Sequence, residues 1–201
     1  MDIILQFGLT IILAYLIGSI PTGYIIVKSK TGDDIRKIGS GSTGATNVKR
    51  VLGKTWFFIV LLLDAFKGAL PVILASLFVK SGANYGIAPV LAAVAVIIGH
   101  SKSCFLGFKG GKSVASGVGT ILALNWLVGA IIAVIWATIT YTTKYVSVGS
   151  IIALLISPIL MYFFNAPVAY IVYCALGAVY IVYLHRENIK RLIAGNENKV
   201  R

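Results

Sequence analysis

Apolar segments follow one another along this chain with so little polar sequence between them that the bilayer has to be their solvent. They run over residues 3–27, 55–79, 86–99, 114–125, 126–142, 146–163 and 168–184. A helix needs roughly 20 predominantly apolar residues to cross a hydrocarbon core about 30 Å thick, and several of these segments reach or approach that length. With 58% hydrophobic and only 12% charged residues, the chain is too apolar for a water-soluble domain of 201 residues. The expected class is an all-α integral membrane protein. No segment reads as a removable signal peptide, so the first helix is expected to stay.

Net charge is +12, which in a soluble protein would point to nucleic acid. The placement of the charges points elsewhere, and no nucleic-acid partner is expected. Lys28, Lys30, Arg36, Lys37, Lys49, Arg50 and Lys54 lie in the first polar segment. Lys102, Lys109 and Lys112 share a second, Lys144 marks a third, and the tail carries Arg186, Lys190, Arg191, Lys199 and Arg201. Only Lys67 and Lys80 fall elsewhere. A single helix over 114–142 would rise about 45 Å and overshoot the bilayer. Were that stretch to cross once, the tail would emerge opposite the first basic loop, against the positive-inside rule. If it crosses twice, or enters and returns, all four basic segments face the cytoplasm.

The expectation is therefore seven transmembrane helices, one of them short at about 114–125, with the N-terminus and the Lys80 loop outside and the C-terminus cytoplasmic. About 12 helical residues rise only about 18 Å, so the short helix fits best against a protein-lined, watered cavity. Residues 1–201 read as a single polytopic domain without internal repeat. Gly18, Pro21 and Gly23 suggest a bend in the first span, although both residue types are common in membrane helices. Cys104 and Cys174 are too few and too far apart for a disulfide framework or a zinc site and read as packing residues.

The first polar loop contains Gly39-Ser40-Gly41-Ser42-Thr43-Gly44-Ala45-Thr46-Asn47-Val48-Lys49-Arg50. Glycines let successive backbone N–H groups turn towards one point, hydroxyls add donors, and arginine grips phosphate oxygens in a fork. A flexible Gly/Ser turn with surface charges is the alternative. In the second loop, Phe108-Lys109-Gly110-Gly111-Lys112-Ser113 leads into a helical pattern and imitates a P-loop. The P-loop match fails at Leu106, where the motif needs glycine, and no strand precedes it. What remains is two glycines, two lysines and a helix N-terminus, a seat suited to phosphate, or else ordinary loop charge.

If the tail is helical, His185 and Asn188 share a face at i and i+3. A histidine at a membrane interface can equally be a simple hydrogen-bonding residue. Asp64 and Lys67, three apart inside an apolar span, can pair on one face, either as a structural pair or lining a site. Ser147 can present a hydroxyl at the same interface as Lys144. No triad spacing, metal-ligand cluster or close carboxylate pair occurs among the six acids. The pattern reads as a site built to bind anions.

Together these segments resemble the bacterial acyl-phosphate:glycerol-3-phosphate acyltransferase family, the PlsY type, over nearly the whole chain. Gly18-Ser19-Ile20-Pro21-Thr22-Gly23, Asp34-Ile35-Arg36-Lys37 and Gly39 to Arg50 follow its first region. Gly99-His100 and Phe108-Lys109-Gly110-Gly111-Lys112 follow the second, and His185-Arg186-Glu187-Asn188-Ile189 the third. Ser42-Thr43 departs from the usual Asn and small residue or proline. Ser103 stands where a proline is usual, and Ser113 where a glycine is.

The resemblance implies transfer of a fatty acyl group from acyl phosphate to the 1-hydroxyl of sn-glycerol 3-phosphate, giving lysophosphatidate and inorganic phosphate, the first acylation of phospholipid synthesis. It implies no cofactor, neither coenzyme A nor metal, with glycerol 3-phosphate, acyl phosphate and membrane lipid as partners. The expected setting is the bacterial inner membrane, with the active site facing the cytoplasm. Carried onto this chain, Ser40, Gly41, Arg50, Lys109, Gly110, Gly111 and Ser147 bind phosphate, Asn47 and Lys112 support them, and His185 and Asn188 orient substrate for catalysis. Whether His185 takes the hydroxyl proton stays open, because a substrate phosphate could do so. The alternative from another class is a transporter or flippase for a phosphorylated solute. No paired halves of the kind such proteins carry are visible.

Overall fold

A computed structural model of the chain describes residues 3–79 and 86–200. Among these, ten α-helices follow in order: α1 (Ile3–Ser19), α2 (Thr22–Thr31), α3 (Ala45–Leu52), α4 (Lys54–Phe78), α5 (Ile87–Ser101), α6 (Val114–Leu124), α7 (Trp126–Thr143), α8 (Val146–Phe163), α9 (Val168–Leu184) and α10 (Arg186–Ile193). The expectations for the N-terminus and the Lys80 loop, like Arg201, lie outside the described residues.

Among the described residues, five stretches are long and apolar enough to cross a bilayer: Ile3–Thr31, Lys54–Phe78, Ile87–Leu106, Trp126–Thr143 and Val146–Phe163. Helices α9 and α10, bent by 60° at their junction, make a sixth if taken as one span. The eleven residues of α6 rise only about 16 Å. The chain is thus an all-helical, multi-pass membrane protein. It divides into two compact units, residues 1–120 and 121–201.

In the first unit the spans meet through small residues. A Cβ on Gly18 of α1 would lie 2.5 Å from the Val96 carbonyl of α5, and one on Gly99 would strike the Tyr15 carbonyl. Helices α4 and α6 cross reciprocally, Gly68 against the Ser116 carbonyl and Gly119 against that of Ala65. Ala88, Ala92, Ala93 and Val96 are buried, whereas Leu62, Phe66 and Phe78 point outwards. A lipid tail is as apolar as leucine, so bulky side chains gain nothing by turning inwards, and close backbone approach decides the packing.

The first span breaks between α1 and α2 because Pro21 has no N–H to continue the ladder. The break leaves carbonyls to satisfy. Lys67 Nζ donates to the Ile20 carbonyl at 2.6 Å and pairs with Asp64 Oδ1 at 2.8 Å, and Thr22 Oγ1 donates to the same carboxylate. Beyond the break, Val27, Ile35, Ala45, Val48 and Val60 form an apolar cluster, flanked by Tyr24 and Trp56. This cluster seats the polar loop between α2 and α3 on the ends of the spans.

In the second unit α7 packs on α8, and α8 on α9. The long stretch 114–142 divides at Asn125, whose side-chain oxygen accepts the Val128 N–H at 3.1 Å and caps α7. A Cβ on Gly129 would lie 2.6 Å from Leu122 Cα. In one continuous helix those residues would stand about 10 Å apart along the axis, so the chain turns back at Asn125. The C-terminal segment returns to the α7–α8 turn, where the Val200 N–H donates to the Lys144 carbonyl at 2.8 Å.

Candidate functional site

The first loop is organised by one buried amide. Asn47, 1% exposed on α3, donates through Nδ2 to the carbonyls of Ile38 (2.9 Å), Ser42 (3.0 Å) and Ile35 (3.4 Å). Its Oδ1 accepts the Ser40 N–H at 3.1 Å. Gly39 and Gly41 have φ of +60° and +68°, a left-handed backbone that glycine adopts without strain. A Cβ on Gly39 would strike Asn47 Oδ1. The Gly41 N–H is donated to Ile38 O at 3.0 Å. This is a hydrogen-bonded turn folded over Asn47, not a loose Gly/Ser linker.

Arg50 follows Asn47 by three residues on α3, and its Cδ would lie 3.7 Å from a Cβ on Gly39. Ser40, Gly41, Asn47 and Arg50 are therefore brought together, with Ser40 and Arg50 exposed. Asp34 accepts the Arg36 N–H at 2.9 Å and caps a turn of 3-10 helix, Ile35–Lys37. The Arg36 side chain grips the same carboxylate, with Nη2 to Oδ2 at 2.6 Å. The hydrogen bond from Arg36 lowers the Asp34 carboxyl to a pKa of about 2. Arg36 also donates to the Leu106 carbonyl at 3.4 Å, tying the first loop to the second.

The second loop is clamped at both ends. Tyr15 Oη donates to the Lys102 carbonyl at 2.8 Å and Ser103 Oγ to the Ser19 carbonyl at 2.6 Å. The hydroxyl at the usual proline position thus holds the loop to the end of α1. At the other end Ser113, with φ +59°, sits where the left-handed backbone favours glycine. Its Oγ donates to the Ile97 carbonyl at 2.9 Å, a compensation glycine lacks.

Between the clamps, Gly110 and Gly111 lie against His100. A Cβ on Gly110 would strike the His100 carbonyl, one on Gly111 the ring nitrogen Nε2, and the Gly111 N–H donates to the His100 carbonyl at 3.1 Å. Lys109 is exposed and Lys112 half-buried beside this strip. Asp64 and Lys67, left open by the sequence, belong to a buried network. Asp64 Oδ1 stands 3.8 Å from His100 Nδ1, which is 3.0 Å from Ser116 Oγ.

The second unit holds Ser147, His185 and Asn188. Ser147 Oγ (2.9 Å) and Asn188 Nδ2 (2.6 Å) both donate to Glu197 Oε1, and Arg191 Nε donates to Oε2 at 2.8 Å. Burial pushes the Glu197 carboxyl up, but the hydrogen bonds from Asn188, Arg191 and Ser147 outweigh it and hold the carboxyl below its ordinary value. Sequence reading missed Glu197. The available signal was a second acid, after Glu187, in a strongly basic tail.

His185 closes α9 one turn before Asn188, and its Nδ1 faces the Ile181 carbonyl at 2.8 Å. Facing an acceptor, Nδ1 carries the proton, which makes Nε2 the basic nitrogen of the neutral ring. Among the described residues no three His, Cys, Asp or Glu side chains gather as a metal would require.

Residues 8–195 match a family model described as glycerol-3-phosphate acyltransferase. A protein of that name from Nostoc sp. (strain PCC 7120) is 44% identical over 96% of this chain and 91% of its own length. One from Acholeplasma laidlawii is 39% identical over 98% and 94%. Among solved structures, the glycerol 3-phosphate form of PlsY (YgiH), an integral membrane glycerol 3-phosphate acyltransferase, superposes with a TM-score of 0.89 at 36% identity. It covers 97% of this chain and 96% of its own. The lysophosphatidic acid form of the same protein gives 0.87 at 35%, covering 97% and 95%.

Proposed function

The chain belongs to the glycerol-3-phosphate acyltransferase family, and on that premise we propose that it moves a fatty acyl group from acyl phosphate to the 1-hydroxyl of sn-glycerol 3-phosphate, releasing inorganic phosphate and leaving lysophosphatidate in the membrane. The observation that carries this reading is the folded turn over Asn47, which presents Ser40 and Arg50 with the Asn47 amide spent inside the loop.

An acyl phosphate is a mixed anhydride and already activated, so the protein has to align two anions, offset their repulsion and stabilise the oxyanion that forms. The hydroxyl oxygen attacks the acyl carbon, the bond from that carbon to the phosphate oxygen breaks, and phosphate leaves with the bonding pair. The hydroxyl proton passes either to His185 Nε2 or to a phosphate oxygen of substrate. Ser40, Arg50, Lys109 and the Gly110–Gly111 backbone bind phosphate, with Asn47 and Lys112 supporting them; Gly41 shapes the first turn, its N–H being donated to the Ile38 carbonyl, and Ser147 reaches phosphate by exchanging its bond to Glu197. Asn188 orients substrate beside His185.

We place the protein in the bacterial inner membrane, with seven crossings, its N-terminus outside and its basic segments and chemistry facing the cytoplasm. The positive-inside rule supports this placement.

Phosphate release by purified protein in detergent, given palmitoyl phosphate with and without glycerol 3-phosphate, tests the reading, with palmitoyl-coenzyme A as control donor. The expected result is release that depends on glycerol 3-phosphate, lysophosphatidate formed, and no use of the thioester. Turnover with the thioester, or none at all from folded protein, would overturn it. Arg50→Ala should lower kcat/KM by about 100-fold or more if Arg50 carries a charge-assisted fork to phosphate; wild-type rates in that variant would remove it from the site.

A further inference from the structure

We propose that His100 is a positioning residue for the Gly110–Gly111 strip, acting on phosphate binding through the shape of that backbone and not by touching substrate. The inference rests on the reading of the strip as a phosphate seat. His100 is 7% exposed and lies in the last turn of α5, so its side chain is committed to the protein interior. Its carbonyl accepts the Gly111 N–H at 3.1 Å. Its ring lies where a Cβ of Gly111 would have to go, and its carbonyl where a Cβ of Gly110 would. One residue thus fixes both glycines from below, by a hydrogen bond and by contact.

The ring in turn is held. Nδ1 lies 3.0 Å from Ser116 Oγ on α6 and 3.8 Å from Asp64 Oδ1 on α4, and Asp64 is paired with Lys67. Lys67 reaches the Ile20 carbonyl at the α1–α2 break. A chain of buried polar contacts therefore runs from that break to the strip, and His100 is its last member. Buried polar networks with every member partnered rigidify what they touch. The strip departs from helix at just this point, and a backbone that presents donors to an anion has to be held to within a fraction of an ångström.

The test compares kcat and the KM of each substrate, in purified full-length protein, for Gly110→Ala, Gly111→Ala, His100→Gln, His100→Ala, Ser116→Ala and the double variant His100→Ala/Gly111→Ala. Each glycine variant should raise the KM of one phosphorylated substrate. His100→Gln should raise that same KM about tenfold, leaving the other KM and thermal unfolding near wild type. Ser116→Ala, which deletes only a hydroxyl, should move the same KM in the same direction by less. In the double variant the new methyl occupies space the ring has vacated, so its KM should lie below the product of the two single effects.

Wild-type KM values in both His100→Gln and Ser116→Ala, with Gly111→Ala impaired, would overturn the role of His100 and leave the phosphate seat standing. A parallel loss of both KM values, kcat and thermal stability would also overturn it, as a general structural role. Unchanged KM values in both glycine variants would remove the phosphate seat itself.

Discussion

The carboxylate of Glu197 is the acceptor shared by Ser147, Asn188 and Arg191, so its loss would take the acceptor from the buried Ser147 hydroxyl. Glu197→Ala should destabilise the folded protein by roughly 1–3 kcal/mol, the range for buried donors left without partners. Because its pKa is lowered in the fold, the carboxylate adds stability that is present above the ordinary carboxyl range. That stability is lost as pH falls through the lowered folded value. Glu197→Gln should flatten the acid side of a plot of unfolding temperature against pH, in the window below the ordinary carboxyl range; an unchanged slope would show that this carboxyl contributes no linkage. Residue type made Arg50, Lys109 and His185 candidates from the sequence alone, as groups phosphate chemistry needs. Glu197 was not among them, because a carboxylate that serves by accepting hydrogen bonds from distant residues has no spacing to reveal it. Asn47 lies between, marked by its motif as a supporting residue, while its three backbone acceptors show only in the fold.

Among the elements, the clearest design is the crossing of α4 and α6, where Gly68 faces the Ser116 carbonyl and Gly119 that of Ala65. Any side chain there must push apart two helices that meet backbone to backbone. Gly119→Leu should cost about 1–3 kcal/mol by overpacking and shift α6, whose first turn follows Ser113 at the end of the second loop. Gly177 on α9 serves as the control, since a Cβ there would meet nothing within 4 Å. Gly177→Leu should leave the unfolding temperature within a degree or two, while Gly119→Leu lowers it by several. Equal effects would show that helix propensity, not the crossing, is what matters. Apolar length alone revealed the spans, and proline chemistry the interruption at Pro21. The glycine pairings stayed hidden because each depends on a partner some 50 residues away, and glycine is common in membrane helices whether or not it touches anything.

At the scale of the molecule, the seven apolar segments are all helical, and the basic segments fall at their ends, as hydropathy and charge together imply. The compact division near residue 120 had no signature, since no linker marks it. The number of crossings turns on α6 and α7. With the reversal at Asn125 the stretch uses two helices, and the proposed topology has both of them cross, which predicts that Lys144 faces the cytoplasm. If that stretch crossed only once, Lys144 and Asn165 would exchange sides. Single cysteines decide the matter in a background lacking Cys104 and Cys174, with an impermeant maleimide added to intact cells. Asn165→Cys, in the turn between α8 and α9, should react at once, and Lys144→Cys only after the membrane is opened. The positive-inside rule makes the same assignment from charge alone, because the reverse orientation would carry the strongly basic tail across the membrane. Labelling of Lys144→Cys in intact cells, with Asn165→Cys protected, would mean that α6 and α7 do not both cross, and would place His185 and Asn188 on the face opposite Arg50. No shared chemistry between those residues could survive that result, so the labelling pattern tests the proposed reaction as directly as it tests the topology.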